Sequence, residues 1–254
     1  MTKFLFVLFG SLAGSLAALA QMGGPGPGAG ANPMEKLFGA NPVYSATMFT
    51  TIPGPDGPMT VKTKTVFDHE NSWTEMNMAD VQASNLPPQA LEAAEQMKNI
   101  GMDEVVTIQP ADKQNIYVVY PHIHSYVAMA MPPSGTTNNA FSMQTTKLGR
   151  ETVDGHPCVK NDVLLTNSME STDFTVWNAT DLNNFPIKIS TSEKGMPVTI
   201  TFQNISFAKP AADLFQPPAH YTRYGSLNEL QESVVMNHPG GMPGMPSPSV
   251  SPGP

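Results

Sequence analysis

Residues 148–207 constrain the fold of this chain more than any other stretch. They contain LGRETVDGHPCVKNDVLL, FTVWNATDLNNFPIKI and MPVTITFQNISF. Each piece is a strand-length run of β-branched and aromatic residues. Turn chemistry separates the runs: Asp154-Gly155, Asn183-Asn184 ahead of Phe185-Pro186, and Lys194-Gly195. This predicts a meander of antiparallel strands. Along Val198, Ile200 and Phe202 the apolar residues are even-numbered, whereas past Asn204 they are odd, Ile205 and Phe207. That change of parity predicts a bulge, the device that bends sheets.

The chain before the meander is mostly written in the same alphabet. Residues 43–52 and 59–67 read as two strands joined through the P-G-P-D-G-P segment at 53–58, a hairpin with a longer loop. In NSWTEMNM (71–78) period two puts Trp73, Glu75 and Asn77 on one face, with Met76 and Met78 on the other. Pro88 suits a helix start, Ala90, Leu91, Ala94 and Met97 share a helical side, and Gly101 is a stop, so a short helix is predicted over 89–99. Strands resume at 105–108, 116–120 and 123–131. The segment IYVVY is apolar on both faces, which predicts a strand covered on both sides. A polar loop follows at 132–140. After the meander, 211–215 reads as one helical turn. Ser226 and Glu229 form a capping box ahead of a stripe of Leu227, Leu230 and Val234, a second short helix.

Nine or ten strands, two short helices and no βαβ alternation argue against a parallel sheet. The fold class expected is mainly β (β-rich α+β): an antiparallel sheet curled into an unclosed half-barrel, with one or two short helices on its concave side.

The two ends of the chain differ from its middle. Lys3, the apolar run 4–19 and Ala18-Leu19-Ala20 make residues 1–20 a signal peptide, so the expected location is periplasmic or secreted after cleavage near Ala20. A Pro/Gly-rich linker over 21–33 precedes a domain over 34–235, and a Pro/Gly/Met-rich tail over 236–254 is expected to be disordered. No later run is long and apolar enough to be read as a transmembrane segment. Cys158 is the one cysteine, so no internal disulfide framework is expected. The formal charge is −8 with no cluster of Lys and Arg, which argues against nucleic acid as a partner.

Several segments resemble a family of exported bacterial domains of unknown function. They are KNIGMDEVVTIQPADKQNIYVVYPHIHSYVAMAMP, LGRETVDGHPCVKNDVLL, TVWNATDLNNFPIKI and FAKPAADLFQPPAHYTRY. G-H-P-C-V-K-N followed by V-W-N-A-T-D-L and F-P-I-K is the most specific part. That family looks like a relative of the periplasmic lipoprotein-carrier superfamily of LolA/LolB type. The resemblance implies a curled, unclosed sheet that holds acyl chains in its hollow, and it implies no catalytic residues and no cofactor. The function expected on this basis is non-enzymatic binding of an apolar small molecule or lipid. A structural or interaction role in the cell envelope, with an envelope protein as partner, is the alternative.

The residues expected to line such a hollow are Trp73, Met76, Met78, Leu91, Met97, Tyr117, Val119 and Trp177. Methionine, 17 residues in all, suits an adaptable apolar lining, although ordinary core filling explains it as simply. A metal site is the competing chemistry. His122 and His124 stand at i and i+2, and His156 and Cys158 repeat the spacing, so two neighbouring strands could offer four N and S ligands for Zn or Cu. Pro157 interrupts the second pair, and partly buried histidines are the plainer account. Cys158 would act as a nucleophile only if a base lowered its pKa; as a buried small hydrophobe it needs no such help. No G-x-S-x-G, H-E-x-x-H, Walker loop or dinucleotide fingerprint is present.

Overall fold

A computed structural model of the chain describes residues 33–39, 41–54, 57–83, 88–112, 114–131, 141–167, 171–193 and 195–237. The expected signal peptide, almost all of the linker, the loop at 132–140 and the tail beyond 237 lie outside the described residues, as do Pro55, Asp56 and Lys194 in the expected turns. The elements are β1 (Val43–Gly54), β2 (Gly57–Asp68), β3 (Asn71–Ala83), α1 (Pro88–Asn99), β4 (Glu104–Gln109), β5 (Asn115–Tyr120), β6 (Ser125–Ala130), β7 (Ser142–Val153), β8 (His156–Thr166), β9 (Ser171–Ala179), β10 (Phe185–Glu193), β11 (Met196–Ser206), β12 (Thr222–Tyr224) and α2 (Leu227–Asn237). Short 3-10 turns occupy Pro33–Phe38, Pro121–Ile123 and Ala212–Phe215.

The described strands form one 12-stranded sheet in the order β12-β6-β5-β4-β3-β2-β1-β11-β10-β9-β8-β7. This corrects the expectation of a curled, all-antiparallel half-barrel. The sheet is not strongly curled, and it is mixed, because β12 pairs with β6 in parallel; it is unclosed, as expected, with β12 and β7 as its separate edges. Alternation and turn chemistry are the same in an open and a curled sheet. A single parity change at Asn204 cannot set the curvature of a dozen strands. The three-residue β12 carries too little pattern to be read as a strand at all.

Local structure follows the sequence more closely. Asp154 (φ 49) and Gly155 (φ 86) close the β7–β8 hairpin, where Val153 pairs with His156. Asn183 and Asn184 take φ of 53 and 56 ahead of β10. His69 (φ 58) turns β2 into β3, where Asp68 pairs with Asn71; the sequence reading did not single out this turn. The bulge stands where parity predicted it: Ser45 pairs with Ser206 but Thr47 with Gln203, and Asn204 at φ 53 absorbs the extra residue. The β1–β2 hairpin is tighter than expected, since pairing continues to Gly54 and Gly57.

The helices also begin and end on their signals. Gly101 adopts φ 71, its N–H donates to the Lys98 carbonyl (3.0 Å), and the Met102 N–H donates to the Met97 carbonyl (2.8 Å), a glycine C-cap. At α2 the Glu229 N–H donates to Ser226 Oγ (3.2 Å) and the Gly225 N–H donates to Glu229 Oε2 (2.8 Å). Leu230 and Val234 turn inward, whereas Leu227, expected in the same stripe, is exposed.

Three apolar clusters hold the sheet. The largest joins β1 and β8–β11 with the 33–38 turn, and at its centre Phe185 meets the rings of Phe38, Tyr44, Phe202 and Phe207 at 4.9–5.9 Å. A second joins Tyr120 and Val127 to Met97 and Ile100 near α1 and to Leu230 and Val234 of α2. A third packs Val106, Ile108 and Val119 against Phe215 of the 212–215 turn. Strand β5 therefore contributes to clusters on both of its faces, Val118 and Tyr120 to one and Tyr117 and Val119 to the other, as IYVVY predicted.

Candidate functional site

Residues paired across antiparallel strands project to the same face, so the registers trace which side chains are neighbours. One row runs Ala46–Thr65–Thr74–Thr107–Val118–Val127 across β1 to β6. Its first member belongs to the large aromatic cluster and its last two to the helix-covered cluster. Three threonines separate the two. The row on one side reads Tyr44–Phe67–Ser72–Gln109, and on the other Met48–Thr63–Met76–Val105. The face that carries two apolar clusters is thus interrupted over β2–β4 by a polar gap.

This gap is buried. Thr65 is 1% exposed, Gln109 3%, Ser72 5% and Thr63 8%. Thr65 Oγ1 and Gln109 Oε1 make no hydrogen bond among the described residues. Buried polar atoms without partners cost about 1–3 kcal/mol each, so two on one face make this part of the sheet less well satisfied than the apolar clusters beside it. The lysines of β2 do not serve it. Lys62 and Lys64 alternate onto the opposite face, where they pair with Asp80 (3.2 Å) and Glu75 (2.5 Å).

The structure divides the residues expected to line a ligand. Met76 lies in the gap, half-buried. Met97 packs in the adjacent helix-covered cluster. Trp73, Tyr117 and Val119 sit together on the opposite face, against Phe215. Trp177 is buried in the large cluster of β8–β11, away from the others. Leu91 is 51% exposed on α1, and Met78 lies where β3 departs from its register, its N–H donating to the Asp103 carbonyl (2.9 Å). Period two already separated Trp73 from Met76, so one lining set could not have held both. The gap itself had a signal in the sequence: Lys62 and Lys64 mark the solvent face of VKTKT and so turn Thr63 and Thr65 inward.

At the border of the large cluster, polar groups surround the indole of Trp177. Its Nε1–H donates to Glu151 Oε2 (2.9 Å), and the ammonium groups of Lys160 and Lys188 lie 4.8 and 4.6 Å from its ring. The indole hydrogen bond, and then the two lysines, hold the Glu151 carboxyl below its ordinary range.

The four candidate metal ligands do not meet. His122 is in the 121–123 turn and His124 has a left-handed backbone (φ 48), so they are not i, i+2 partners on a strand. His122 Nδ1 contacts Asp103 Oδ1 at 3.0 Å, and the His124 ring packs 5.2 Å from that of Tyr221. His156 contacts Asp181 at 2.8 Å. Eight strands intervene between β6 and β8, roughly 40 Å at the usual strand spacing. Among the described residues no group of three or more His, Cys, Asp or Glu is placed to hold a metal ion. Cys158 is buried, its thiol donates to the His156 carbonyl (3.4 Å), and burial pushes its pKa up, opposite to what a nucleophile needs. No described helix is long and apolar enough to cross a membrane.

No family model and no curated protein matches the chain. Among solved structures it is similar to a LolA superfamily protein of Nitrosomonas europaea, at 10% identity and a TM-score of 0.34, over 72% of this chain and 94% of that one. It is similar to a DUF1329 family protein of Desulfovibrio piger, at 10% and 0.33 over 74% and 94%. It is also similar to the lipoprotein LppX of Mycobacterium tuberculosis, at 11% and 0.37 over 70% and 93%. Similarity at this level is remote, assigns the chain to no one family, and is too weak to transfer a ligand or an activity.

Proposed function

We propose that this protein is a non-enzymatic binder of an apolar ligand, a lipid or acyl chain, which lies against the sheet face over β2–β4 between the two apolar clusters. The observation that carries this reading is the gap itself, where buried Thr65 and Gln109 side-chain oxygens lack partners among the described residues, between Phe67 on one side and Val118 and Val127 on the other. An acyl chain that buries about 300 Å² there contributes ~7 kcal/mol gross at ~25 cal/mol per Å², before the cost of association. The raised thiol pKa of Cys158 and the separation of the histidine pairs weigh against the catalytic and metal readings. The signal-like first twenty residues support export to the periplasm or beyond, with 34–235 as the working domain.

The test is uptake of a fluorescent acyl probe by delipidated protein. The expected result is saturable binding that Thr74→Trp, which fills the gap with an indole, abolishes while the far-ultraviolet spectrum is unchanged. Folded protein that takes up no probe overturns the reading. Native mass spectrometry of the protein from its own host gives an independent measure, a retained lipid appearing as added mass.

A further inference from the structure

The two edges of the sheet are not alike. β12 is three residues long, whereas β7 runs for twelve, roughly 40 Å at the usual rise per residue, and pairs only with β8. All of β7 but Gly149 and Val153 is exposed, Met143 to 51% and Leu148 to 55%. Among the described residues nothing pairs with its outer side, so alternate N–H and C=O groups along it face water. A long edge of this kind is a template for a further strand.

A bulge in β7 decides what that strand must carry. Lys147 pairs with Asn161 and Gly149 with Lys160, so Leu148 is the extra residue, and Arg150 then pairs with Val159. Asn161 and Val159 share a face of β8, so Lys147 and Arg150 project side by side from one face of β7. On a regular strand, three residues apart, they would point to opposite faces. Among the described residues the one ion pair of β7 is that of Glu151 with Lys160 (3.6 Å), so Lys147 and Arg150 are left unpaired. Two such cations together stand out on a chain of formal charge −8. An antiparallel strand on the outer side repeats the spacing of β8: residue n opposite Arg150, n+2 opposite Lys147 and n+6 opposite Met143, as Val159, Asn161 and Leu165 are on the inner side. The long stretches outside the described residues, 1–32, 132–140 and 238–254, contain no Asp or Glu to meet these cations. A second copy paired through β7 would bring its own Lys147 and Arg150 to the same seam, like charge against like.

We propose that β7 is a docking edge for an extended acidic segment of another protein. The segment adds to the sheet as a further antiparallel strand, with carboxylates at n and n+2 against Arg150 and Lys147 and an apolar side chain at n+6 over Met143. This edge stands apart from the ligand face over β2–β4, and either assignment can fail without the other.

The experiment titrates a fluorescein-labelled peptide of nine residues into the full-length protein. The peptide is β-branched except for glutamates at its second and fourth residues and a leucine at its eighth. The expected result is saturable binding that raises hydrogen-exchange protection on β7 and not on β12. The double variant Lys147→Glu with Arg150→Glu, both at exposed positions that leave the core untouched, is expected to weaken binding by about 5–30-fold, because two exposed ion pairs become repulsions. A peptide with lysines in place of both glutamates is expected to prefer the double variant to the wild type. No binding, equal affinity of the wild type for the acidic and basic peptides, affinity unmoved in the double variant, or protection that appears elsewhere than on β7 overturns the proposal. Sedimentation as a dimer whose β7 amides are protected before peptide is added also overturns it, in favour of a second copy.

Discussion

The two ends of the sheet are built differently. Strands β8–β11 with β1 bury one large cluster centred on Phe185, and Trp177, a member of that cluster, is clamped between Lys160 and Lys188. Strands β4–β6 carry smaller clusters on both faces, and segments distant in sequence complete them: α2 through Leu230 and Val234, the 212–215 turn through Phe215. The first end is held chiefly by a continuous hairpin series and one aromatic interior. The second is a sandwich whose covers must dock after the strands have paired. The proposed ligand face lies where these two constructions meet.

The largest effect expected is from Phe185→Ala. Phe185 has no exposed surface and four aromatic neighbours, so its truncation is expected to destabilise the protein by about 3–5 kcal/mol. A fall in the urea midpoint read by tryptophan fluorescence, with the same shift by circular dichroism, measures it. Equal loss at both ends would show one cooperative unit. Phe215→Ala, about 3 kcal/mol, is the complementary cut. It is expected to release amide protection over 212–224 and on β5 while β8 and β9 stay protected in hydrogen exchange; uniform loss would erase the distinction between the two ends.

High pH loads the same end. Burial raises the Tyr120 hydroxyl pKa to about 12 from an ordinary 10. Between those values the unfolded chain gives up its proton first, so the stability held in the neutral buried phenol is present below pH 10 and is lost as pH rises toward 12, by about 2–3 kcal/mol. Tyr120→Phe should flatten that decline, as measured by denaturation at pH 9, 10 and 11; an unchanged slope assigns it to other groups. Gly101→Ala is the smallest cut, about 1–2 kcal/mol. The position has φ 71, and a Cβ there would stand 2.9 Å from Ile123 Cγ2, so the effect should appear as a lower melting temperature with local loss of protection at the end of α1.

Much of the local structure was legible because its causes are local. Asp154-Gly155, Asn204, Gly101 and the Ser226/Glu229 box each act within a few residues, and each stands where the sequence put it. The four candidate metal ligands stand apart because His122 lies in a turn after Pro121 and because nothing in a strand states which other strand lies beside it. The expected lining residues are dispersed for a different reason. Its members were chosen as large apolar residues, whereas the registers scatter them over both faces and several clusters, and the candidate site is marked instead by Thr65 and Gln109.

What the amino-acid order determined by itself was the series of hairpins, the two helices with their caps, the inward face of each strand and the bulge in β11, since dihedral preference and alternation operate over neighbours. What only the tertiary structure decided was that β1 adjoins β11, that β12 adds in parallel beside β6, that the sheet does not curl strongly, and that Thr65 and Gln109 are buried on one face with a side-chain oxygen unpaired among the described residues. Those outcomes depend on contacts between residues far apart in the chain, whose energies no local pattern encodes.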